Sequence, residues 1–427
     1  MNHKLDYKTC IDYCMFDHLP EGIEEKYETY QPDHRDKLLN RDFLYSIFNQ
    51  YHIPDNRKEL LLSALEEIEN DTVLFYFTKF LVDDMCSARN RCDEDIYTNL
   101  TPCCMKKHGD LYSFLLLLSC VVPSMKLMES RGIPKEYYEK IPHQPIKNQL
   151  EKLVKNNDSK VSDFPWDMNF YTCSIFLLDR FFFIPYHFED NFTMYRNKVT
   201  QKVMALRHAG EEFRRDGQRD GINEVYDKAG KFTSIWMEDE KTITANRMNP
   251  MGFVEKDTTT IIKSEWNKVL EKGDTLLAFH IPSGPGYTPE RVRSSMEMAI
   301  DFYQKYFPEL TIKGFWSESW LYDTRLSLVL NENSNIVQVQ RQFYNYPISE
   351  GDSMLRYELF GDWKSDPNNV PLKTSLQKAA AAYMKSGKHF NTLSMVVLKE
   401  EAKQMGSMPY ITTDDIEHFN TIVDSHL

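Results

Sequence analysis

The sequence predicts an α+β protein: an all-helical N-terminal domain over residues 1–157 and a mixed-sheet α/β domain over 158–427. Three observations predict it. Apolar residues recur at helical spacing as far as about residue 157, without long Val/Ile/Thr alternation. A polar, turn-rich stretch, KNNDSKVSD at 155–163, then breaks the pattern. Beyond it, β-leaning segments punctuated by turns surround one strongly marked helix. A chain of 427 residues suits two or three domains.

The elements follow in order. Phe43, Ile47, Phe48 and Tyr51 fall on one helical face, as do Leu61, Leu65 and Ile68. The segment from Asp71 to Met85 is an apolar-rich helix that runs into the charged loop SARNRCDEDIY. A helix from near Asp110 holds the most apolar stretch, Phe114 to Val122. Pro123 should end or kink it. That stretch is about half of what a bilayer crossing needs, so it reads as a buried helix. A fifth helix spans Ile146 to Lys155.

After the boundary, the aromatic block at 170–188 reads as strand or buried hairpin. Met194 to Leu206, Phe232 to Glu238 and Asp257 to Ser264 lean towards strand. The charged loop at 211–221 reads as a solvated hairpin tip. The strand TLLAFHI (275–281) leads through SGPGY into a helix with Thr288 as cap, Pro289 in first position and Glu290 in the first turn. Val292, Met296, Ala299, Tyr303 and Tyr306 make its apolar stripe. A strand near Thr311 to Leu321, a short helix near Asp323 to Leu330, a strand from Ile336 to about Tyr344 and a last helix from Leu372 to Ser386 complete the reading.

The formal charge is −13, so the chain has no general attraction for phosphate backbones or anionic lipid. Nucleic acid and membrane are not expected partners. The start, MNHKLDYKTCIDYC, lacks the apolar core of a secretory signal, so a cytoplasmic location is expected. The eight cysteines lie in the first half of the chain and form no paired C-x-x-C knuckles. Free thiols are the expectation, metal ligation the sharper alternative, and no metal is assigned.

The strand–SGPGY–helix unit carries the chemistry. A strand that feeds a helix N-terminus through glycine points unpaired N–H groups outward, where the helix dipole adds partial positive charge. Such a place suits an anion such as a pyrophosphate. Ser283, Gly284, Gly286, Tyr287 and Thr288 would offer amides, while Pro285 has none. Arg291 and Arg293 would add charge. The plain alternative is an ordinary turn.

The stretch LLAFHIPSGPGYTPERVRSSMEMAIDFYQKYFP resembles the GNAT-like C-terminal domain of a bacterial family of acyltransferase domain-containing proteins. His280-Ile281-Pro282, Gly284-Pro285, Phe307-Pro308, Ser319-Trp320-Leu321 and Ser334-Asn335-Ile336 carry the resemblance, in that order, and it covers about 170–345. In that family a helical N-acyltransferase N-terminal domain precedes the GNAT-like one.

The resemblance implies an acyl-CoA N-acyltransferase-like fold, with acetyl-CoA or another acyl-CoA wedged beside a strand that splays from its neighbour. The strand at 275–281 would be the splayed one. Backbone N–H groups from Phe279 to Ile281 would polarise the thioester carbonyl, and the loop at 283–288 would take the pyrophosphate. Pro285 departs from the glycine-richer loop of the wider superfamily.

Acyl transfer to an amine needs positioning, an oxyanion donor, a base, and an acid for the departing thiolate. His280 is the first base candidate, since its ordinary pKa of about 6.5 suits proton transfer. The plainer reading is a half-buried ring bonded to a carbonyl. Glu318, on one strand face with Trp316 and Trp320, is the second, because a carboxylate between indoles would be desolvated. Asp323 is a substrate-side candidate or a helix cap. Asn335 is a substrate-side candidate or a turn residue. Tyr344 falls near where the wider superfamily places its thiolate-protonating tyrosine, or else packs in the core.

The expected function is transfer of an acetyl or short acyl group from acyl-CoA to an amine of a small molecule. The alternative is a non-catalytic GNAT-like protein that binds a small molecule or sugar. A homo-oligomer is compatible with either.

Overall fold

A computed structural model describes residues 5–16, 18–31, 37–87 and 97–424. Its contacts divide the chain into two compact units, Met1–Leu177 and Leu178–Leu427.

The first unit is helical: Tyr7–Cys14, Ile23–Thr29, Arg41–Gln50, Asp55–Asn70, Thr72–Cys86, Tyr112–Ser130, His143–Asn156 and Phe164–Tyr171. Short polar side chains start several of them. Asn40 Oδ1 accepts from Phe43 N at 3.0 Å, Asp71 Oδ1 from Leu74 N at 3.0 Å and Asp163 Oδ1 from Trp166 N at 3.2 Å. The core is aromatic: Phe77 and Phe80 of the Thr72–Cys86 helix are in mutual ring contact with Tyr27, and Phe16 stacks on Phe77.

The apolar helix runs longer than its densest stretch suggested. Gly109–Ser130 is long and apolar enough to cross a membrane by length and composition, yet 72% of its apolar window is buried inside the protein. It also continues through Pro123. The missing N–H forfeits one bond, but twelve buried residues hold the helix in place. The seven described cysteines form no disulfide with one another; Cys92 and most of the loop SARNRCDEDIY lie outside the described residues.

The second unit is built on two large sheets, beside a two-stranded pair of Glu212–Phe213 and Phe232–Thr233. The first contains the Tyr186 strand (Phe181–His187), the His280 strand (Thr275–His280), the Trp316 strand (Ile312–Ser319), the Val396 strand (Leu393–Leu398) and the Tyr346 strand (Tyr344–Pro347), in that order. The second runs Trp266–Leu270, Phe192–Asn197, Val203–Arg207, Thr242–Asn249, with Trp236–Glu238 and Phe253–Ile262 also paired to Thr242–Asn249. Phe188, Phe192, Met194, Met248, Leu276 and Val396 pack in one cluster between them. The helix Pro289–Tyr306 buries Val292, Met296, Ala299 and Tyr303. Tyr303 ties it to the first sheet by donating to the Phe183 carbonyl at 3.1 Å.

Four readings are corrected. The aromatic block at 170–188 begins as the end of the helix Phe164–Tyr171 and becomes strand only later. The expected strand from Ile336 is the helix Asn335–Gln340, because Ser334 caps it and Gln340 Nε2 donates to the Leu321 and Asp323 carbonyls at 2.6 and 2.9 Å. Tertiary bonds there override the β preference of Ile and Val. The charged loop at 211–221 is not a solvated tip: Arg214, Asp216 and Gln218 are buried. Asp216 bridges Arg214 at 3.1 Å and Arg325 at 3.2 Å. Last, a strand at Leu393–Leu398 and a helix at Thr413–Asp424 follow the helix read as final. Every residue of that strand is buried, so it shows no alternation to find.

Candidate active site

The site forms where the first sheet opens. The parallel His280 and Trp316 strands pair at Thr275↔Ile312, Leu277↔Phe315 and Ala278↔Trp316, with an irregularity between the first two. Both strands then continue without pairing to each other. On its far edge the His280 strand stays paired as far as His280↔Phe182. The Trp316 strand likewise stays paired on its far edge as far as Ser319↔Leu393. Each strand is therefore held from outside while the seam between them parts after Ala278. Phe279 and Ile281, two apart, present their N–H groups to the same edge.

The loop at 283–288 begins at this opening. Gly284 at φ 112° and Gly286 at φ 99° take backbone that disfavours a Cβ. Thr288 then caps the helix, its Oγ1 accepting from Arg291 N at 3.3 Å. The loop oxygens converge on one side chain. Arg180 donates to the carbonyls of Pro282, Ser283, Gly284 and Pro285 at 2.7, 3.3, 3.1 and 2.8 Å. Among the described residues, no carbonyl or side chain accepts from the amides of Ser283, Gly284, Gly286, Tyr287 or Thr288. The loop thus turns its oxygens to a cation and leaves its N–H groups for another acceptor.

One face of the sheet gathers polar groups beside the seam. Trp316 stacks on Tyr186 with ring centroids 4.1 Å apart and planes 13° apart. Its indole Nε1 donates to Tyr346 Oη at 2.9 Å and lies 3.2 Å from Asp190 Oδ2. Tyr346 donates to the same Asp190 oxygen at 2.5 Å. Burial pushes the Asp190 carboxyl above its usual range, although Tyr346, Arg207 and Trp316 pull it back. Glu318 pairs across the sheet with Ser394, which pairs with Tyr346, so these three share a row. The Glu318 carboxyl is raised by desolvation and then by the neighbouring Glu350 and Asp190 charges. Desolvation brings the His280 imidazole down to about 4, so it is neutral at pH 7.

The structure sorts the predicted residues. His280, Phe279, Ile281, the loop from Ser283 to Thr288, Trp316 and Glu318 lie around the parted strands. Arg291 is exposed and pairs with Asp179 at 2.8 Å. Trp320 is not beside Glu318. The strand ends at Ser319, alternation stops, and Trp320 packs in a cluster with Leu326, Leu355 and Phe390. Asp323 is fully buried and acts as a cap, accepting from Arg325 N at 3.0 Å and Asn391 N at 2.7 Å. Asn335 is exposed at the first position of the helix Asn335–Gln340. Tyr344 has its hydroxyl between Ala205 N, at 3.0 Å, and the Met248 carbonyl, to which it donates. The tyrosine on the Glu318 row is Tyr346.

Asp190, Tyr346, Tyr186 and Arg180 were missed. Asp190 sits in a turn-like stretch, and no sequence spacing links it to a tyrosine 156 residues away. Arg180 precedes a run of phenylalanines that reads as core.

A search of curated proteins finds no match. Two solved structures share the fold. One is an acyltransferase in complex with decanoyl-CoA, at 14% identity and TM-score 0.50. The other is an acyltransferase mutant in complex with octanoyl-CoA, at 16% identity and TM-score 0.50. Each comparison covers 92% of this chain and 99% of the other. The GNAT-like C-terminal domain family model matches residues 187–396. The seam, the loop and the Asp190–Trp316–Tyr346 cluster all fall in that stretch.

Proposed function

We propose that this protein is an acyl-CoA-dependent acyltransferase that moves an acetyl or short acyl group to an amine of a small molecule. The parted seam beside a loop with unaccepted amides carries this reading. Thioester and pantetheine are extended and polar, and two strands that separate expose main-chain groups able to bond them. The loop amides and the dipole of the Pro289–Tyr306 helix suit the CoA diphosphate. The acyl-CoA ligands of the two solved acyltransferases with this fold support the same donor class.

In the proposed reaction, the amine nitrogen attacks the thioester carbonyl and the C–S bond breaks. N–H groups of Phe279 and Ile281 stabilise the oxyanion. Glu318, with its raised carboxyl, takes the proton from the amine. Neutral His280 stands at the end of the splayed strand as the second acceptor. Tyr346 with Asp190, not Tyr344, completes the polar face towards the departing thiolate.

Calorimetry with CoA, acetyl-CoA and octanoyl-CoA tests the donor. A thiol-release assay with a panel of amines and amino sugars tests the reaction. Saturable binding with amine-dependent thiol release is expected. No binding at millimolar ligand would remove the proposal, and binding without turnover would leave a non-catalytic ligand-binding protein.

A further inference from the structure

A second pocket lies away from the seam, on the sheet that carries none of the proposed reaction. Its pairing path places Trp266–Leu270 at one end and Phe253–Ile262, beyond Thr242–Asn249, at the other. Yet only residues 263–265 join these two strands. A three-residue link between opposite ends of a path requires the sheet to curl, and the pocket opens at the mouth of that curl. Its volume is about 660 Å³, within the roughly 300–1,000 Å³ typical of ligand sites, which favour barrel mouths.

Aromatic rings and paired charges line it. Tyr195 and Ile243 are buried there, while Trp236 and Trp266 are partly exposed. Trp236 is fixed in place: the His208 ring packs on it in a T-shaped pair at 4.8 Å and 82°, and its Nε1 donates to Glu238 Oε2 at 3.1 Å. His208 is fixed in turn by Thr193 Oγ1 at 2.9 Å and Asn191 Oδ1 at 3.0 Å. A platform already held costs little ordering on binding. At the rim, Lys263 pairs with Glu238 at 2.6 Å and Lys268 with Glu271 at 2.8 Å. Two lysines and two glutamates leave no net charge. An anion would meet two opposing carboxylates, and a cation two ammonium groups. A neutral ring with many hydroxyls can stack its C–H face on an indole and exchange hydrogen bonds with both signs of rim charge.

We infer that the curled sheet of this domain binds a neutral saccharide at Trp236 and Trp266, separately from the acyl-CoA seam. The inference does not depend on acyl transfer.

Saturation-transfer NMR and tryptophan fluorescence on the full chain test it, with cellobiose, maltose and diacetylchitobiose as probes and inorganic phosphate as the anionic control. At least one disaccharide should bind saturably. Trp236→Ala and Trp266→Ala should each weaken it by about tenfold or more, with unchanged thermal unfolding midpoints. Trp236→Phe, which keeps a flat ring, should retain most of the affinity. Should the alanine variants unfold, Lys268→Ala on the exposed rim should still weaken binding several-fold. Absence of saturable binding at roughly 50 mM of every probe, a preference for phosphate, or affinity indifferent to all four substitutions would overturn the inference.

Discussion

Tyr346 donates its phenolic hydrogen to Asp190 at 2.5 Å, from a strand 156 residues further along the chain. The bond joins the edge strand of the first sheet to the segment that leads into the second. It also holds a desolvated carboxyl beside Trp316, on the face that carries Glu318. Tyr346→Phe would leave Asp190 with less compensation, at a cost of about 1–3 kcal/mol. It would also push the Asp190 carboxyl further up. A raised acid destabilises the fold as pH rises through its unfolded and then its folded pKa, so the variant should lose more stability than wild type between pH 4 and neutrality. Urea melts across that range read the difference. Equal slopes would show that the bond does not govern Asp190.

Glu318→Gln separates chemistry from donor binding. Thiol release should fall by about 10²-fold or more, while calorimetric affinity for CoA stays within about twofold of wild type. Because its carboxyl is raised, the acid limb of the wild-type rate profile should inflect above the ordinary glutamate value of 4.5. A profile flat through that region would move the base elsewhere.

His280 predicts a stability change of its own. Desolvation lowers the ring to about 4, from an ordinary 6.5. Its neutral form fits the fold and its charged form does not. That contribution is whole above pH 6.5 and is lost as pH falls from there through about 4. Chemical unfolding at pH 7 and pH 5 should show a larger loss for wild type than for His280→Asn, which cannot titrate. Matching losses would place the ring in free exchange with water.

Arg180 organises the loop from below. Arg180→Met would release four carbonyls at once. The glycine turns would lose their fixed course, and CoA affinity should drop by about tenfold. Gly286→Ala should act in the same direction, since its φ is 99° and a new Cβ would lie 3.4 Å from Arg180 Nε. Unchanged CoA affinity in both variants would show that the diphosphate binds elsewhere.

Asp216 holds a buried charge cluster together. Burial pushes its carboxyl up, but Arg325 and Arg214 more than reverse this and keep it below the usual range. Asp216→Asn would leave two buried guanidinium groups short of a counter-charge and cost roughly 3–5 kcal/mol. Wild type should keep this contribution above the ordinary aspartate value and lose it as pH falls through the lower folded one. Thermal and urea unfolding check both statements.

The elements that declared themselves in sequence are those with local causes. Thr288, Pro289 and the stripe from Val292 to Tyr303 define a helix from neighbours alone, and the observed helix begins at Pro289. The His280 strand is bracketed by Gly273 and Pro282. The strand Leu393–Leu398, which pairs with the Trp316 strand, was not legible, because a strand buried on both faces looks like any short apolar run. The helix at Asn335–Gln340 was misread because its decisive bonds reach residues 321 and 323.

The sequence by itself determined a helical half, a sheet-rich half, and a glycine loop capped by Thr288, since caps, turns and periodicity act within a few residues. Only the tertiary structure decided that Tyr346 and not Tyr344 shares the Glu318 row, across Ser394, that Trp320 leaves that face, and that Asp190 and Arg180 join the site. Those outcomes depend on strand register and on where a pairing seam parts. Both are fixed by pairing between segments dozens of residues apart in the chain, which no local pattern encodes.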